Sequence, residues 1–448
     1  MYHDYCLMII LQDRGKKFRD PVHGFIHMTE AELEIINSPV FQRTRNIKQL
    51  SLGHYVYHGA EHSRFGHMIG AAHIAGLAYD SLKKNSKSEK IDLDDRDRAT
   101  LRIAALLHDV GHTPFSHSLE TILDKPHEDY SQKLVESYFE DMIKKADVDV
   151  DDVNSLIKGV YSKPFLNNIV SGQLDVDRLD YLLRDTYYSG VTYGRYDLGR
   201  IIEEMAIRHD KFVVLQGGYE AVEQLIFARY QMYQQVYFHK TKRSFELMLW
   251  MCAKILKEQK ALDYPSLDDL ENDSGISKYI QRDDRWFLNE IFGSKDPRVV
   301  IIADMIKKRK PYWEIYSPVS YRSEPSNIRT EPDNSTNSLG VIQNAFFLAT
   351  SDLGIEEHEF LKDDISRSPY KLMPDYAISD IDETEGTSIS IYYENRDFVE
   401  PIEKRSHIVY TLAKNPPSMI RGFVIPKKYP LVREHFRKTF DYCLPERS

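Results

Sequence analysis

Thr100-Leu-Arg-Ile-Ala-Ala-Leu-Leu-His108 reads as a short apolar helix that ends on two ionisable side chains, His108 and Asp109. An apolar helix is buried, and a charged pair carried in with it is costly unless a partner or a metal matches it. Whatever the chain folds into must bring compensating groups to this one helix end. Two other His-Asp dipeptides, His3-Asp4 and His209-Asp210, lack such a setting. Directly after the central one comes Val110-Gly-His-Thr-Pro-Phe-Ser-His117, dense in imidazoles. Upstream lies Glu61-His-Ser-Arg-Phe-Gly-His67, and downstream Leu174-Asp-Val-Asp-Arg-Leu-Asp-Tyr181.

From these runs His67, His108, Asp109 and Asp177 form a set of two imidazoles and two carboxylates. Such a set suits Mn, Fe, Zn, Ni or Mg better than a thiolate site would. A lone histidine near an apolar helix is more often a hydrogen-bonded core residue than a ligand. Four such residues within these flanks argue instead for a divalent metal ion.

A chain of 448 residues can bury a substantial core, and its 42% hydrophobic and 29% charged content is that of an ordinary soluble protein. With a formal net charge of −10, a nonspecific grip on nucleic acid phosphates is not favoured. Cys6, Cys252 and Cys443 are scattered without metal-type spacing, and the expectation is a reducing cytoplasm. The early apolar run Tyr5–Leu11 is too short to span a bilayer and lacks a basic flank. It reads as a buried strand or an N-terminal extension, and no membrane partner is expected.

Helical spacing dominates from Thr29 to His239. Thr29 is a capping residue with Glu32 three positions on. Gly111 reads as the stop of the apolar helix, and Pro114 as the first turn of a helix carrying Phe115, Ser116, His117 and Glu120. Leu174–Arg184 and Tyr219–Lys242 are further helices by periodicity. Three charged stretches, Lys83–Arg98, Lys144–Asp152 and Asp263–Ser277, read as solvated loops, and Tyr321–Ser338 as a loop or linker. Ser388–Tyr393 and His407–Leu412 alternate as strands do. The expectation is a mainly α protein: a helical core over 1–250, a helical extension over 251–320, a linker over 321–339 and a smaller mixed α+β region over 340–448.

Phe41-Gln-Arg-Thr-Arg-Asn-Ile-Lys-Gln-Leu50, Arg64-Phe-Gly-His67, His108–His117 and Asp175-Val-Asp-Arg-Leu-Asp-Tyr181, in that order, strongly resemble the deoxynucleoside triphosphate triphosphohydrolases of the HD superfamily. Asp20-Pro-Val-His-Gly24 and Tyr237-Phe-His-Lys240 extend the match, which covers roughly residues 16 to 245. The resemblance implies cleavage of a dNTP to deoxynucleoside and tripolyphosphate, with hydroxide attacking the α-phosphorus. It implies that Arg64, Arg178, Tyr181 and Arg229 hold the phosphates, Arg178 standing where some relatives have lysine. His117 is implied as general acid with Glu120 orienting it, and His112 and His127 as supporting imidazoles; His112 is the alternative acid. Gln49 and Asp185 match residues that bind the 3′-hydroxyl, and Leu50 and Tyr237 those that pack against C2′, where a ribose hydroxyl would clash.

The resemblance further implies a homo-oligomer, a tetramer being favoured, with an activating nucleotide held by Lys16, Asn37, Gln42, Arg45 and Arg200. Asn37 departs from the pattern: relatives with a guanine-specific activator have aspartate there, whose two oxygens can accept from guanine N1–H and N2–H. Two other readings stand beside this one. An HD phosphodiesterase or nucleotidase acting on another nucleotide or a nucleic acid end would share the metal ligands but leave Gln49, Leu50, Asp185 and Tyr237 without a role. A non-catalytic nucleotide sensor or nucleic-acid-binding scaffold would not need His112, His117 and His127 beside a complete ligand set.

Overall fold

The computed structural model describes residues 15–120, 125–316, 319–321, 335–364, 388–414 and 417–443. The chain is mainly α, as its periodicity predicts, with small sheets built from an N-terminal hairpin, a hairpin at 205–215 within the helical part, and C-terminal strands. Three expectations fall wholly or largely outside the described residues: His3-Asp4, the run Tyr5–Leu11 with Cys6, and most of the stretch 321–338. Within that stretch a strand closes at Tyr321 and a helix opens at Ser335.

The helix Arg64–Asn85 is the axis of the fold. It buries residues on all sides, among them Met68, Ala71, Ile74, Ala75, Ala78 and Leu82, as a helix surrounded by others does. The helix Asp95–Leu107 packs along it and carries His108 as its C-terminal cap residue. Thr29 and Glu32 form the anticipated capping box at the head of the helix Glu30–Asn37. Glu32 is buried and also takes Arg102 bidentately, Nε at 2.6 Å and Nη2 at 2.8 Å, which ties the first helix to the His108-bearing one.

Several boundaries differ from expectation, each for a local reason. Lys83–Arg98 is helical at both ends, because Asp94 and Asp97 make a capping box that starts the second helix early. Lys144–Asp152 likewise straddles two helices, and Asp263–Ser277 holds a 3-10 turn and the start of the helix Asp273–Ile280. Pro114 does not open a helix: Phe115 and Ser116 both take left-handed φ angles of 56° and 55°, and only His117–Glu120 is helical. Tyr219–Lys242 is broken, with a helix to Met232, a π-helical turn Tyr233–Tyr237 and a new helix from Lys240. His407–Lys414 is a helix rather than a strand; Ser406 Oγ accepts from the Val409 N–H at 3.0 Å and starts it.

The strands are β1 (Lys16–Asp20), β2 (Gly24–Met28), β3 (Met205–Arg208), β4 (Lys211–Leu215), β5 (Trp313–Tyr316), β6 (Val319–Tyr321), β7 (Phe360–Asp364), β8 (Ser390–Tyr393), β9 (Phe398–Pro401) and β10 (Pro417–Val424). β1 and β2 are an antiparallel hairpin. β3 and β4 turn through His209 and Asp210, both with positive φ, as two-residue hairpins require. β4 then pairs in parallel with β8, and β8 antiparallel with β9. In the other C-terminal sheet β10 is central, pairing with β5, β6 and β7. The main core surrounds Arg64–Asn85, and a second one lies under the helix Lys240–Glu258.

Candidate metal centre

His67 comes from the first turn of the axial helix, His108 and Asp109 from the end of its neighbour, and Asp177 from the first turn of the helix Val176–Ser189. One ligand atom from each lies within 4.8 Å of the others. His67 Nε2 is 3.0 Å from Asp177 Oδ1 and 3.5 Å from Asp109 Oδ2; His108 Nε2 is 3.4 Å from Asp109 Oδ1 and 3.6 Å from Asp177 Oδ1. The outer nitrogens are occupied: His67 Nδ1 lies 2.8 Å from Asp180 Oδ2 and His108 Nδ1 2.8 Å from the Ala105 carbonyl. Donation from Nδ1 leaves the Nε2 lone pairs pointing inward. Among the described residues neither Nε2 has a hydrogen-bond partner, although both are buried. Buried, unpartnered imidazole nitrogens facing two carboxylates fit a divalent cation.

The electrostatics agree. Burial alone would make His67 less basic, yet Asp177 and Asp180 outweigh it and raise its pKa to about 10. Burial works against the charge of Asp177 as well, but His108 and His67 hold its carboxyl far below the usual range. The centre thus keeps its carboxylates ionised and attracts positive charge.

Asp180 is the hub behind His67. It is fully buried, sits 2.6 Å from His23 Nε2, and accepts from Arg184 Nε and Nη2 at 2.8 Å each; Arg184 continues to Asp20 at 2.8 Å. Gly70 makes this approach feasible, because a Cβ there would stand 1.9 Å from Asp180 Oδ1. On the other side, Arg64 donates to Asp109 Oδ2 and, at 2.9 Å, to Ser116 Oγ.

The remaining imidazoles form a second group beside Asp109. His112 and His127 stack with centroids 3.7 Å apart, and His112 Nε2 is 3.3 Å from Asp109 Oδ1. Glu120 bridges His117, at 2.7 Å, and His127, at 2.5 Å. Burial, Arg64 and His127 hold His112 well below the usual imidazole range, so it is neutral. The His117 side chain is 61% exposed and stands at the open side of the group.

Of the residues expected around the sugar, Tyr237 and Asp185 meet. Tyr237 donates to Asp185 Oδ2 at 2.7 Å, and Asp185 Oδ1 lies 2.7 Å from His62 Nε2. Gln49 Oε1 is buried without a hydrogen-bond partner among the described residues, and Leu50 beside it is 6% exposed. Tyr181 links Tyr237 to the metal centre, its ring 6.2 Å from Tyr237 and 6.4 Å from His67. Arg229 is buried, 5.9 Å from the Tyr233 ring. Arg178 is turned back onto Asp175 and the Gly172 carbonyl.

Of the five residues expected to bind an activator, the structure connects two. Arg45 Nε donates to Gln42 Oε1 at 2.8 Å, and Arg45 lies over the Phe65 ring at 3.4 Å. Gln42 in turn donates to the Ile36 carbonyl at 2.7 Å, next to the exposed Asn37, and lines an open cleft of about 600 Å³ with Arg43, Arg282, Arg285 and Trp286. Lys16 is exposed on β1; Arg200 is exposed on the helix Leu198–Glu203 and engaged with Gly217 and Glu204. Sequence reasoning did not single out His23, Asp20, His62, Asp180 or Arg184. Asp20, His23, His62 and Asp180 lay inside runs already noted, Asp180 one helical turn after Asp177, and Arg184 closes the helical run from Leu174; none of them had a signal of its own.

Residues 64–185 match the family described as HD domain, and residues 196–289 the one described as HD associated region. The uncharacterized protein YwfO of Bacillus subtilis (strain 168) is 40% identical over 251 residues, 55% of this chain and 56% of its own. This chain thus spans little more than half of that relative's length. A deoxynucleoside triphosphate triphosphohydrolase SAMHD1 homolog of Dictyostelium discoideum is 27% identical over 413 residues, 88% of this chain and 75% of that one. The crystal structure of a phosphohydrolase from Bacteroides thetaiotaomicron VPI-5482 superposes with a TM-score of 0.68 at 28% identity, covering 92% of this chain and 99% of that chain.

Proposed function

We propose that this chain, which belongs to the HD superfamily and is similar to its dNTP triphosphohydrolases, is a phosphohydrolase that cleaves deoxynucleoside triphosphates to deoxynucleoside and inorganic tripolyphosphate. A divalent metal ion is its cofactor, and His67, His108, Asp109 and Asp177 would hold it. When bound, such an ion supplies Lewis acidity toward a phosphate oxygen and lowers the pKa of a water.

The observation that carries the reading is the side-chain cluster beside the metal centre, where Tyr237 and His62 both engage Asp185 and the Tyr181 ring adjoins both Tyr237 and His67. Gln49 Oε1 and the Asp185 carboxylate present acceptors to a sugar hydroxyl, and Tyr237 is tied to Asp185 through its own hydroxyl. In this reading Leu50 and the Tyr237 ring pack against C2′, where a 2′-hydroxyl would lose its water. Arg64, Tyr181 and Arg229 supply charge and hydrogen bonds for the phosphates, and Arg178 joins them once it swings off Asp175. His117 delivers a proton to the departing 5′-oxygen, because Glu120 orients it while His112 is kept neutral. His127, on the other oxygen of Glu120, fixes the geometry of the pair.

We also propose that a nucleotide activates the enzyme by bridging copies of the chain, through Lys16, Asn37, Gln42, Arg45 and Arg200, in a homotetramer. No helix among the described residues is long and apolar enough to cross a membrane, and a cytoplasmic setting fits the free, buried Cys252.

The test incubates the metal-loaded protein with each dNTP and NTP, singly and in pairs, in isotopically labelled water. Deoxynucleoside and labelled tripolyphosphate are the expected products. Orthophosphate or pyrophosphate as the primary product would instead assign the chain to another class of HD hydrolase.

A further inference from the structure

We propose that Asp284, in the HD associated region, is a positioning residue for the turn that carries His112 and His117. It stands in the first turn of the helix Asp284–Gly293, outside every motif considered so far, and is 5% exposed. Its Oδ1 accepts from the Phe115 N–H at 2.6 Å and its Oδ2 from the Lys48 N–H at 2.9 Å. One carboxylate therefore clamps the turn at Phe115 to the backbone at Lys48.

The turn it grips is a strained one. Phe115 and Ser116 are consecutive non-glycine residues in the left-handed region, a conformation that persists only where the surroundings over-determine it. Ser116 Oγ closes the clamp from the other side, donating to the Lys48 carbonyl at 2.9 Å and accepting from Arg64 Nε at 2.9 Å. The same region holds the preceding residues: Tyr279 donates to the Val110 carbonyl at 2.9 Å, and Arg43, anchored on the Arg282 carbonyl, donates to that of His112 at 2.9 Å. The backbone from Val110 to Ser116 is thus shaped by residues 279–284.

The chemistry suits aspartate and little else. Two N–H donors need two acceptor oxygens, whereas asparagine offers one acceptor and sets an NH₂ group against the other donor. A rotation at Phe115 would swing His117 away from Glu120 and shift Ser116 from Arg64, whose guanidinium lies on Asp109. Asp284 touches none of the proposed reacting groups and acts through the backbone it clamps.

The activity arm of the test rests on the proposed function; the exchange arm does not. In the metal-loaded full chain, Asp284→Asn should raise amide hydrogen exchange in the segment 110–119 at least tenfold, with bound metal unchanged by elemental analysis. With whichever nucleotide the wild type hydrolyses, kcat should fall at least tenfold while KM stays within about threefold, because positioning of a proton donor is felt in the transition state. Unchanged exchange, or faster exchange with unchanged kcat, overturns the proposal. A wild type that hydrolyses no dNTP overturns the functional reading instead, while faster exchange in the variant still upholds the clamp.

Discussion

Nδ1 of His67 lies 2.8 Å from Oδ2 of Asp180, and this contact turns the imidazole's other nitrogen toward the metal centre. Asp180 can serve His67 because Arg184 and His23 surround the rest of its carboxylate, leaving no lone pair unused in a site closed to water. An ion held at this centre would therefore be tuned by a residue that does not touch it.

Asp180→Ala should weaken metal binding about 10- to 100-fold, as loss of a carboxylate behind a ligating histidine does. It should also destabilise the protein by about 3–5 kcal/mol, since Arg184 would be left as a buried, half-paired charge. Metal titration and chemical denaturation of the same variant check both. Wild-type metal affinity in a destabilised variant would confine Asp180 to a structural part.

His108→Ala and Asp177→Ala should each abolish stoichiometric metal and lower activity by at least about 100-fold, because each removes one of four protein ligands. Elemental analysis of purified variants decides this. Full occupancy in either would take that residue out of the ligand set.

Leu50→Ala should raise the ratio of NTP to dNTP turnover about tenfold by opening the wall beside C2′. Competition between matched ribo- and deoxynucleotides reads the ratio directly. An unchanged ratio would mean that Leu50 is ordinary core packing.

Arg45→Ala removes a charge that lies over Phe65 and holds Gln42. It should weaken activation of one dNTP's hydrolysis by a second nucleotide at least fivefold, with metal content unchanged, and activation should not be confined to guanine nucleotides. Mixed-substrate kinetics with light scattering tests it. Equal rates with single and mixed dNTPs and an unchanged oligomer would remove the regulatory site while leaving the catalytic one.

Burial pushes the Asp284 carboxyl up to about 7, against the opposing N–H groups of Lys48 and Phe115, with Asp283 raising it further and Arg43 lowering it. The folded pKa exceeds the unfolded one, so the folded state binds more protons in between. Stability contributed at this position should then fall as pH rises from about 4 to about 7. The stability gap between wild type and Asp284→Asn, measured at about pH 5 and about pH 8, should move against the wild type at the higher pH. A pH-independent gap would show that Asp284 does not titrate in this window.

Local patterns made much of this legible. The His67, His108, Asp109 and Asp177 set could be read because each residue sits in a short run whose composition is anomalous for its setting. Thr29 and Glu32 announced a helix start through spacing alone. What could not be read depended on distant pairing. His62 meets Asp185 across 123 residues and Asp284 meets Phe115 across 169, with nothing in either neighbourhood to mark the partner. Pro114 misled because its preference for a helix's first turn yields to a left-handed turn gripped by tertiary contacts. His407–Leu412 misled because six residues of alternation are too few to outweigh a serine cap.

The parallel pairing of β4 with β8 also orders the chain's assembly in time. During synthesis the β3–β4 hairpin emerges well before residue 390, so its open edge waits through some 175 further residues before Ile391 and Tyr392 reach Val214 and Leu215. Non-local pairing of this kind is slow to form, and an unpaired edge is adhesive in the interval. A chaperone that shields exposed strands should therefore raise the yield of native protein.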